Sequence, residues 1–300
     1  MKNVFIINPV AGKGNLQNGI IDSIKEYFSG KKEEFEIYIS KKRSDAEEFA
    51  RRLALSGERY NIFACGGEGT FYEVLNGAIG HDNVSLGVIP CGSANDFLKH
   101  FKNRNAFLDI AAQVSGSKTK MDVIKAGDRY CINGCSVGMD AIVARDMSIF
   151  KNWPLVSGKM AYNLAIIKTF IKKIGVKIKI TLDDGKPFVA NCLFAVVANA
   201  PYYGGGYMAA PGALPDDGRL NFTLVDTISK LKIPGFLKRY EKGAIKDLSY
   251  CKLDLCEKMS FTADKLTPVN LDGEIIESKS MDFSIIKKAV SFIVPDNADK

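Results

Sequence analysis

The sequence predicts an α/β half followed by an all-β half. Three observations carry that reading. Strand-like and helix-like segments alternate through roughly the first 120 residues, the pattern of a parallel sheet with helices on its faces. Three of those strands run directly into glycine-bearing loops. Beyond that point short apolar segments follow one another with turn residues between them, as in an antiparallel sandwich or barrel. The expected domains are residues 1–122, an α/β domain that the C-terminal segment 290–300 can complete, and residues 123–289, a β-sandwich, with a cleft between the two.

The elements of the first half follow in order. VFIIN (4–8) is a β-branched run suited to a strand buried on both faces. Leu16, Ile20, Ile24 and Phe28 then recur at helical spacing over 16–28. FEIYIS (35–40) is the second strand. Ser44 and Asp45 read as the cap of a helix over 45–55, with Glu47 and Glu48 favourable beside its N-terminus. NIFAC (61–65) is a third strand, Thr70–Ala78 a helix and SLGVIP (85–90) a fourth strand.

In the second half, KTKMDVIKAGDRYCINGCSVGMD reads as paired strands turning at Gly127-Asp128. A helix over about 157–172 interrupts the strands, which resume in VKIKITLDDG, KPFVANCLFAVVANA, RLNFTLVD, MSFTAD, VNLDGEI and MDFSIIKKAVSFIVP. Asp-Gly, the strongest short hairpin signal, occurs at 184–185, 217–218 and 272–273. The first of these is read as a plain turn.

Composition narrows the chemistry. The 300 residues are 46% hydrophobic and 25% charged, which is ordinary for a globular chain with a sizeable core. No apolar run reaches the roughly 18 residues of a membrane span, and the N-terminus lacks a secretory pattern, so a cytoplasmic protein is expected. Seven cysteines without CxxC spacing read as small core residues in a reducing compartment. With only two histidines, His81 and His100, a histidine metal centre or a Ser-His-Asp triad is disfavoured, and a metal is expected on oxygen ligands. The net charge of +7 suits a phosphorylated ligand or an anionic membrane surface. Its lysines are scattered, with no basic stripe interleaved with aromatics, which argues against nucleic acid.

NPVAGKG (8–14), GGEGT (66–70) and IPCGSANDF (89–97) each follow a strand. None is a Walker A or GxGxxG sequence. Taken singly, each fits an ordinary strand-to-helix turn. Together, at the C-terminal ends of neighbouring parallel strands, they converge where open α/β sheets bind ligands, and their glycines let main-chain N–H groups approach phosphate.

These three segments resemble the signature segments of the diacylglycerol kinase catalytic domain, a family that includes bacterial lipid kinases. NGCSVGMDA (133–141), YYGGGYMAAPGALPDDGRL (202–220) and NLDGEI (270–275) are similar, in order, to segments of the bacterial lipid kinase C-terminal domain. The resemblance spans nearly the whole chain. It implies an NAD kinase/diacylglycerol kinase-like α/β domain and an antiparallel β-sandwich domain, with the active site in the cleft between them.

It also implies ATP and Mg²⁺ as cofactors. ATP is expected along Asn8, Pro9, Gly12 and Lys13 of the first loop, and at Ser40 after the second strand. The second glycine loop is expected to contribute Gly66, Gly67, Glu68, Gly69, Thr70 and Tyr72, and the third Gly92, Ser93, Asn95 and Asp96. A structural Mg²⁺ is expected at Leu214, Asp217 and Arg219, with Asp217 giving its carboxylate and the others their carbonyls. Glu274 is expected to accept the proton of the lipid hydroxyl, with Glu68 and Asp272 completing the catalytic carboxylates. Phosphoryl transfer rests mainly on positioning and charge neutralisation, so these residue types suit it. Two positions depart from the family pattern: GGEGT stands for GGDGT, and IPCGSAND for IPxGTxND. Both keep the functional group.

The expected partner is a lipid, most simply diacylglycerol, met at a membrane surface by a peripheral protein. In SIFKNWPLVSGKMAYNLAIIKTFIKK (148–173), Leu164, Ile167 and Ile171 read as an ordinary core face, and the Phe150–Val156 loop as the lipid contact. A homodimer through an apolar sandwich edge is a further expectation. Two other readings compete. An NAD kinase-like phosphotransferase also carries GGDGT, but IPCGSANDF and the late DGE count against it. A catalytically silent nucleotide- or lipid-binding member of the family is favoured by Glu68.

Overall fold

The computed structural model describes residues 1–11, 16–91, 95–151 and 175–298. It divides into two units, Met1–Val123 together with Ile286–Lys300, and Ile124–Ile285. The chain crosses from the first to the second within strand β5 (Ser117–Ala126) and returns within β13 (Glu274–Val294).

In the first unit β1 (Lys2–Ile7), β2 (Phe35–Ile39), β3 (Tyr60–Gly66) and β4 (Val84–Pro90) form a parallel sheet in the order β2-β1-β3-β4. The last turns of β13 add to β4, also in parallel, with Phe292 opposite Leu86. All seven residues of β3 and five of the six in β1 are buried. Neither strand alternates polar and apolar positions, which is the signature of a sheet covered on both faces. Helices α1 (Leu16–Phe28), α2 (Asp45–Leu55) and α3 (Glu68–Ala78) make the crossovers, and the short α4 (Ile110–Ser115) follows. Helix α1 buries Ile24 and Phe28 against Phe5 and Phe63, whose rings stack at 4.9 Å. Each such fully buried side chain contributes about 1.5–3 kcal/mol.

A second cluster is aromatic. Phe292 is fully buried and meets Phe71 on α3, Phe97 within and Phe101 just after the 3-10 turn Asp96–His100, and Phe107. The returning β13 therefore fixes the helix after the second glycine loop and the turn after the third.

The second unit is an antiparallel β-sandwich. Strand β5 turns at Gly127 into β6 (Arg129–Cys131), which leads to β7 (Gly134–Gly138). Strands β8 (Val176–Leu182), β9 (Phe188–Ala198), β10 (Leu220–Asp226), β11 (Cys251–Cys256) and β12 (Lys258–Leu271) follow. The order is β11-β10-β9-β7-β12-β13, and β8 bridges β9 and β12. Strands β9 and β12 are thus joined twice, through β7 at one end and β8 at the other. Helix α5 (Met139–Lys151) and helix α6 (Ile233–Glu241) carry apolar faces into a core built on Leu193, Phe194, Val196 and Phe236.

Several sequence expectations are corrected in detail. Helix α3 begins at Glu68, two residues before the expected Thr70. Ser44 precedes α2, but its hydroxyl caps nothing; the residue is left-handed at φ 66°. Its N–H donates instead to Glu73 Oε1 at 2.8 Å, and the Asp45 carboxylate takes the N–H of Lys41 at 2.7 Å. Residues 148–151 belong to α5, so the expected loop at Phe150 starts in a helix. The rest of that loop and the expected helix over 157–172 lie outside the described residues. Among the described residues, no helix is long and apolar enough to cross a membrane.

Candidate active site

In the first unit the expected residues gather at the C-terminal ends of β1, β3 and β4. Asn8 follows β1, and its N–H donates to the Cys65 carbonyl at 3.0 Å. The Asn8 side chain works in two directions. Its Nδ2 donates to Thr70 Oγ1 at 3.1 Å, and its Oδ1 accepts the N–H of Val10 at 3.1 Å. One amide group thereby shapes the first loop and fastens it to helix α3. Pro9 is half-buried beside it, whereas Gly12 and Lys13 lie outside the described residues.

Gly66 ends β3 where α3 turns sharply back. A Cβ at this position would stand 2.3 Å from Thr70 Oγ1, a distance no side chain tolerates, so the turn demands glycine. Gly67 precedes the helix in extended conformation and Gly69 lies in its first turn. Glu68, also in that first turn, reaches across to the third loop: its Oε1 accepts the N–H of Asp96 at 2.7 Å. Asn95 before it is left-handed at φ 47°, a conformation asparagine tolerates better than most residues. The Asp96 carboxylate is buried and paired with Lys99. Gly92 and Ser93 lie outside the described residues.

Ser40 and Tyr72 stand differently. The Ser40 hydroxyl is buried and donates to the Ile7 carbonyl at 3.3 Å, tying the end of β2 to β1. Tyr72 is only 6% exposed, within the buried face of α3. Beyond Ser40, the basic stretch Lys41-Lys42-Arg43 is exposed, and its conformation is set by Asp45. The Lys41 N–H holds the Asp45 carboxyl below the usual carboxylate range; burial opposes this and the Tyr38 hydroxyl supports it.

In the second unit, Asp272 and Gly273 form the two-residue turn of the β12–β13 hairpin, with Leu271 opposite Glu274 and positive φ values of 49° and 96°. This is the geometry of a type I′ turn, for which Asp-Gly is preferred. The Asp272 carboxylate is buried and accepts three successive main-chain N–H groups: Ile132 at 2.6 Å, Asn133 at 3.2 Å and Gly134 at 2.8 Å. Burial pushes its pKa up to about 6, while the three N–H groups pull it down. The receiving segment is itself braced by Asn199, whose Nδ2 donates to Ile132 O at 2.9 Å and whose N–H donates to Asn133 O at 2.7 Å. Asn270 Oδ1 takes the Gly273 N–H at 2.7 Å. The three amides that Asp272 binds all lie in its own unit, and these bonds brace the hairpin turn. Half-buried Glu274 begins β13 directly after this braced turn.

The LPDDGR turn lies apart from that hairpin in the sequence. Leu214 and Asp217 are exposed, and Asp217 Oδ1 accepts the N–H of Arg219 at 2.9 Å. One carboxylate and two main-chain carbonyls make an all-oxygen donor set, which suits a hard divalent cation that keeps several waters. Among the described residues no three His, Cys, Asp or Glu side chains cluster as metal ligands. A metal here therefore depends on carbonyls and water as much as on side chains.

Sequence reading missed Asn199 and the 132–134 amides. The only hint of them was the NGC segment at 133–135. Also missed was the Asn8–Thr70 bond, although both residues had been singled out.

Residues 2–126 match the family model described as the diacylglycerol kinase catalytic domain, and residues 133–294 match that of the YegS C-terminal NAD kinase beta sandwich-like domain. The chain belongs to the diacylglycerol kinase catalytic-domain family. It is 27% identical over 273 residues to a Staphylococcus haemolyticus protein bearing the name "Putative lipid kinase SH2167", across 88% of this chain and 87% of the other. A crystal structure of "a putative diacylglycerol kinase" from Bacillus anthracis superposes with a TM-score of 0.77 at 22% identity, covering 99% of this chain and 96% of that one. The NAD kinase of Archaeoglobus fulgidus, solved in complex with ATP, shares the fold more distantly, with a TM-score of 0.55 at 13% identity over 99% and 95% of the two chains. The chain thus combines a diacylglycerol kinase catalytic domain built on a parallel sheet with an antiparallel β-sandwich.

Proposed function

We propose that this protein transfers the γ-phosphoryl group of Mg-ATP to the hydroxyl of a membrane lipid, diacylglycerol in the simplest case, giving phosphatidic acid. The observation that carries this reading is the bond from Glu68 to the Asp96 N–H. It joins the second glycine loop to the third, as Asn8 joins the first to the second, and three loops held together in this way support the reading of a shared phosphate site.

In the reaction the lipid oxygen bonds to the γ-phosphorus as the bond to the β–γ bridging oxygen breaks. ADP leaves with that electron pair, and the hydroxyl proton passes to the Glu274 carboxylate. A carboxylate within about 3 Å of an alcohol takes such a proton as transfer proceeds. Asp272 keeps the turn before Glu274 fixed. The amides of Gly67, Glu68 and Gly69 at the start of α3 bear on the phosphates of ATP, and the family resemblance assigns Lys13, Gly92 and Ser93 to them as well. Mg²⁺, when bound, neutralises charge on the phosphate oxygens. Asp217 with the carbonyls of Leu214 and Arg219 would hold a second, structural Mg²⁺. Such an enzyme works from the cytoplasm, visits the membrane surface transiently and functions as a homodimer.

The decisive experiment supplies the purified protein with γ-labelled ATP and vesicles of total membrane lipid, with NAD in a parallel reaction. Label is expected in phosphatidic acid, and Glu274→Gln is expected to lose about 10²–10⁴ in turnover. Undiminished turnover of Glu274→Gln on every lipid overturns the reading. So does label found only on NAD, or nucleotide binding with no transfer at all.

A further inference from the structure

The third glycine loop runs on into a segment that is gripped at both ends. At its start the Asp96 N–H is held by Glu68, and the Asp96 carboxylate by Lys99. At its end stands Asn103, an exposed residue outside every motif. Its Nδ2 donates to the Asn297 carbonyl at 3.1 Å, and its N–H donates to the Ala298 carbonyl at 3.1 Å. The Asn103 carbonyl accepts the Ala106 N–H in the next 3-10 turn, Arg104–Leu108. Between the two grips Phe97, Leu98 and Phe101 are buried, with both rings against Phe292.

The other side of this contact is equally defined. Directly after β13 the chain turns once, with the Ala298 N–H donating to the Pro295 carbonyl at 2.9 Å. Ala298 is fully buried. Two successive carbonyls thus meet two donors of a single asparagine. Phe292 and residues 297–298 lie in one stretch of chain, so that stretch holds the turn after Asn95 and Asp96 in two places. A loop that is already ordered before its ligand arrives binds more tightly, because less freedom is lost on binding. Order in this turn is therefore a contribution to phosphate affinity.

We propose that Asn103 is a positioning residue for nucleotide binding, and that it couples the segment Pro295–Ala298 to the third glycine loop. The inference rests on the reading of the glycine loops as the ATP site. Coupling between two sites is reciprocal. ATP on the loops tightens Asn103 onto Asn297 and Ala298, and displacement of residues 295–298 weakens ATP binding.

The purified full chain is assayed with Mg-ATP and vesicles of total membrane lipid, and its ATP affinity is measured by calorimetry. Asn103→Ala is expected to raise the KM and the dissociation constant for ATP about three- to tenfold, the effect of one lost hydrogen bond. Its kcat is expected to stay within about twofold of wild type, the split that marks a binding role. Asn103→Asp sets a carboxylate against the Asn297 carbonyl and is expected to weaken ATP at least as much. Ala298→Leu overfills a closed site and should give the same split. By linkage, saturating ATP is expected to slow hydrogen exchange of the Asn103 amide about three- to tenfold. The Gly127 amide, bonded to the Asp282 carbonyl at 3.2 Å in the second unit, should not respond. Lower stability of Asn103→Ala with an unchanged ATP dissociation constant overturns the proposal, and so does an Asn103 amide indifferent to ATP. Wild type that binds no ATP overturns the reading of the glycine loops, and the coupling with it.

Discussion

Glu68 accepts the main-chain N–H of Asp96 at 2.7 Å, so a side chain at the start of α3 sets the position of a loop 28 residues further on. The family pattern GGDGT would place a carboxylate one methylene shorter at this point. Glu68→Ala is expected to destabilise the protein by about 1.5–3 kcal/mol, the cost of removing a charged hydrogen-bond partner. Glu68→Gln, which keeps the acceptor and the length, should lose less than half of that in urea unfolding. Glu68→Asp should resemble Glu68→Ala in hydrogen exchange at the Asp96 amide. Slow exchange in that variant would show that length at position 68 is immaterial.

Asn8 and Thr70 meet across two loops through one hydrogen bond of 3.1 Å. A double-mutant cycle on Asn8→Ala and Thr70→Ala should return a coupling of about 0.5–1.5 kcal/mol, the net worth of such a bond. Additivity of the two single substitutions would remove this link between the first and second glycine loops.

Asp272 binds three amides of the segment 132–134. Asp272→Asn cannot offer two acceptor oxygens to them, and exchange of those amides is expected to quicken about 10–100-fold. Turnover should fall as well, with the KM for ATP nearly unchanged, since the residue acts on the hairpin that carries Glu274. An altered KM at constant kcat would assign it a role in nucleotide binding instead.

The Asp45 carboxyl is held below its ordinary range by the Lys41 N–H. A carboxylate with a depressed pKa in the folded state stabilises the protein above its unfolded pKa, near 3.9, and loses that contribution as pH falls through the folded value. Wild type should therefore exceed Asp45→Asn in urea midpoint at pH 6, and the gap should shrink toward pH 3. A constant gap across that range would mean that charge at position 45 is irrelevant.

Phe292 is fully buried among Phe71, Phe97, Phe101 and Phe107. Phe292→Ala should cost about 3–5 kcal/mol, typical for removal of a large aromatic from a packed core. Calorimetry is the direct check, and a loss below 1 kcal/mol would show that the cluster collapses around the gap.

Much of the first unit was legible because its signals are local. Buried parallel strands read as unbroken apolar runs, as NIFAC and VFIIN do, and α1 kept its expected bounds because Leu16, Ile20, Ile24 and Phe28 repeat on one face. Local signals also misled. Ser44-Asp45 has the composition of a cap, yet the acceptors that order this turn come from Asp45 bonding backwards to Lys41 and from Glu73 on another helix. The glycine loops were visible from residue type alone, whereas the bonds that fasten them were not, since Glu68 and Asp96 or Asn8 and Thr70 are distant in sequence. Asp272 is the extreme case. Its partners lie about 140 residues earlier, and an Asp-Gly pair gives no sign whether its carboxylate faces water or a row of amides.

The return of β13 to the first unit has a consequence for how the chain is made. A nascent polypeptide that has emerged as far as Val123 holds four of the parallel strands but not the segment from Ile286 onward, so a gap remains beside β4 where a phenylalanine belongs. The α/β layer stays incomplete while the whole sandwich is synthesised. Birth order and completion order are reversed: the part translated first is sealed last.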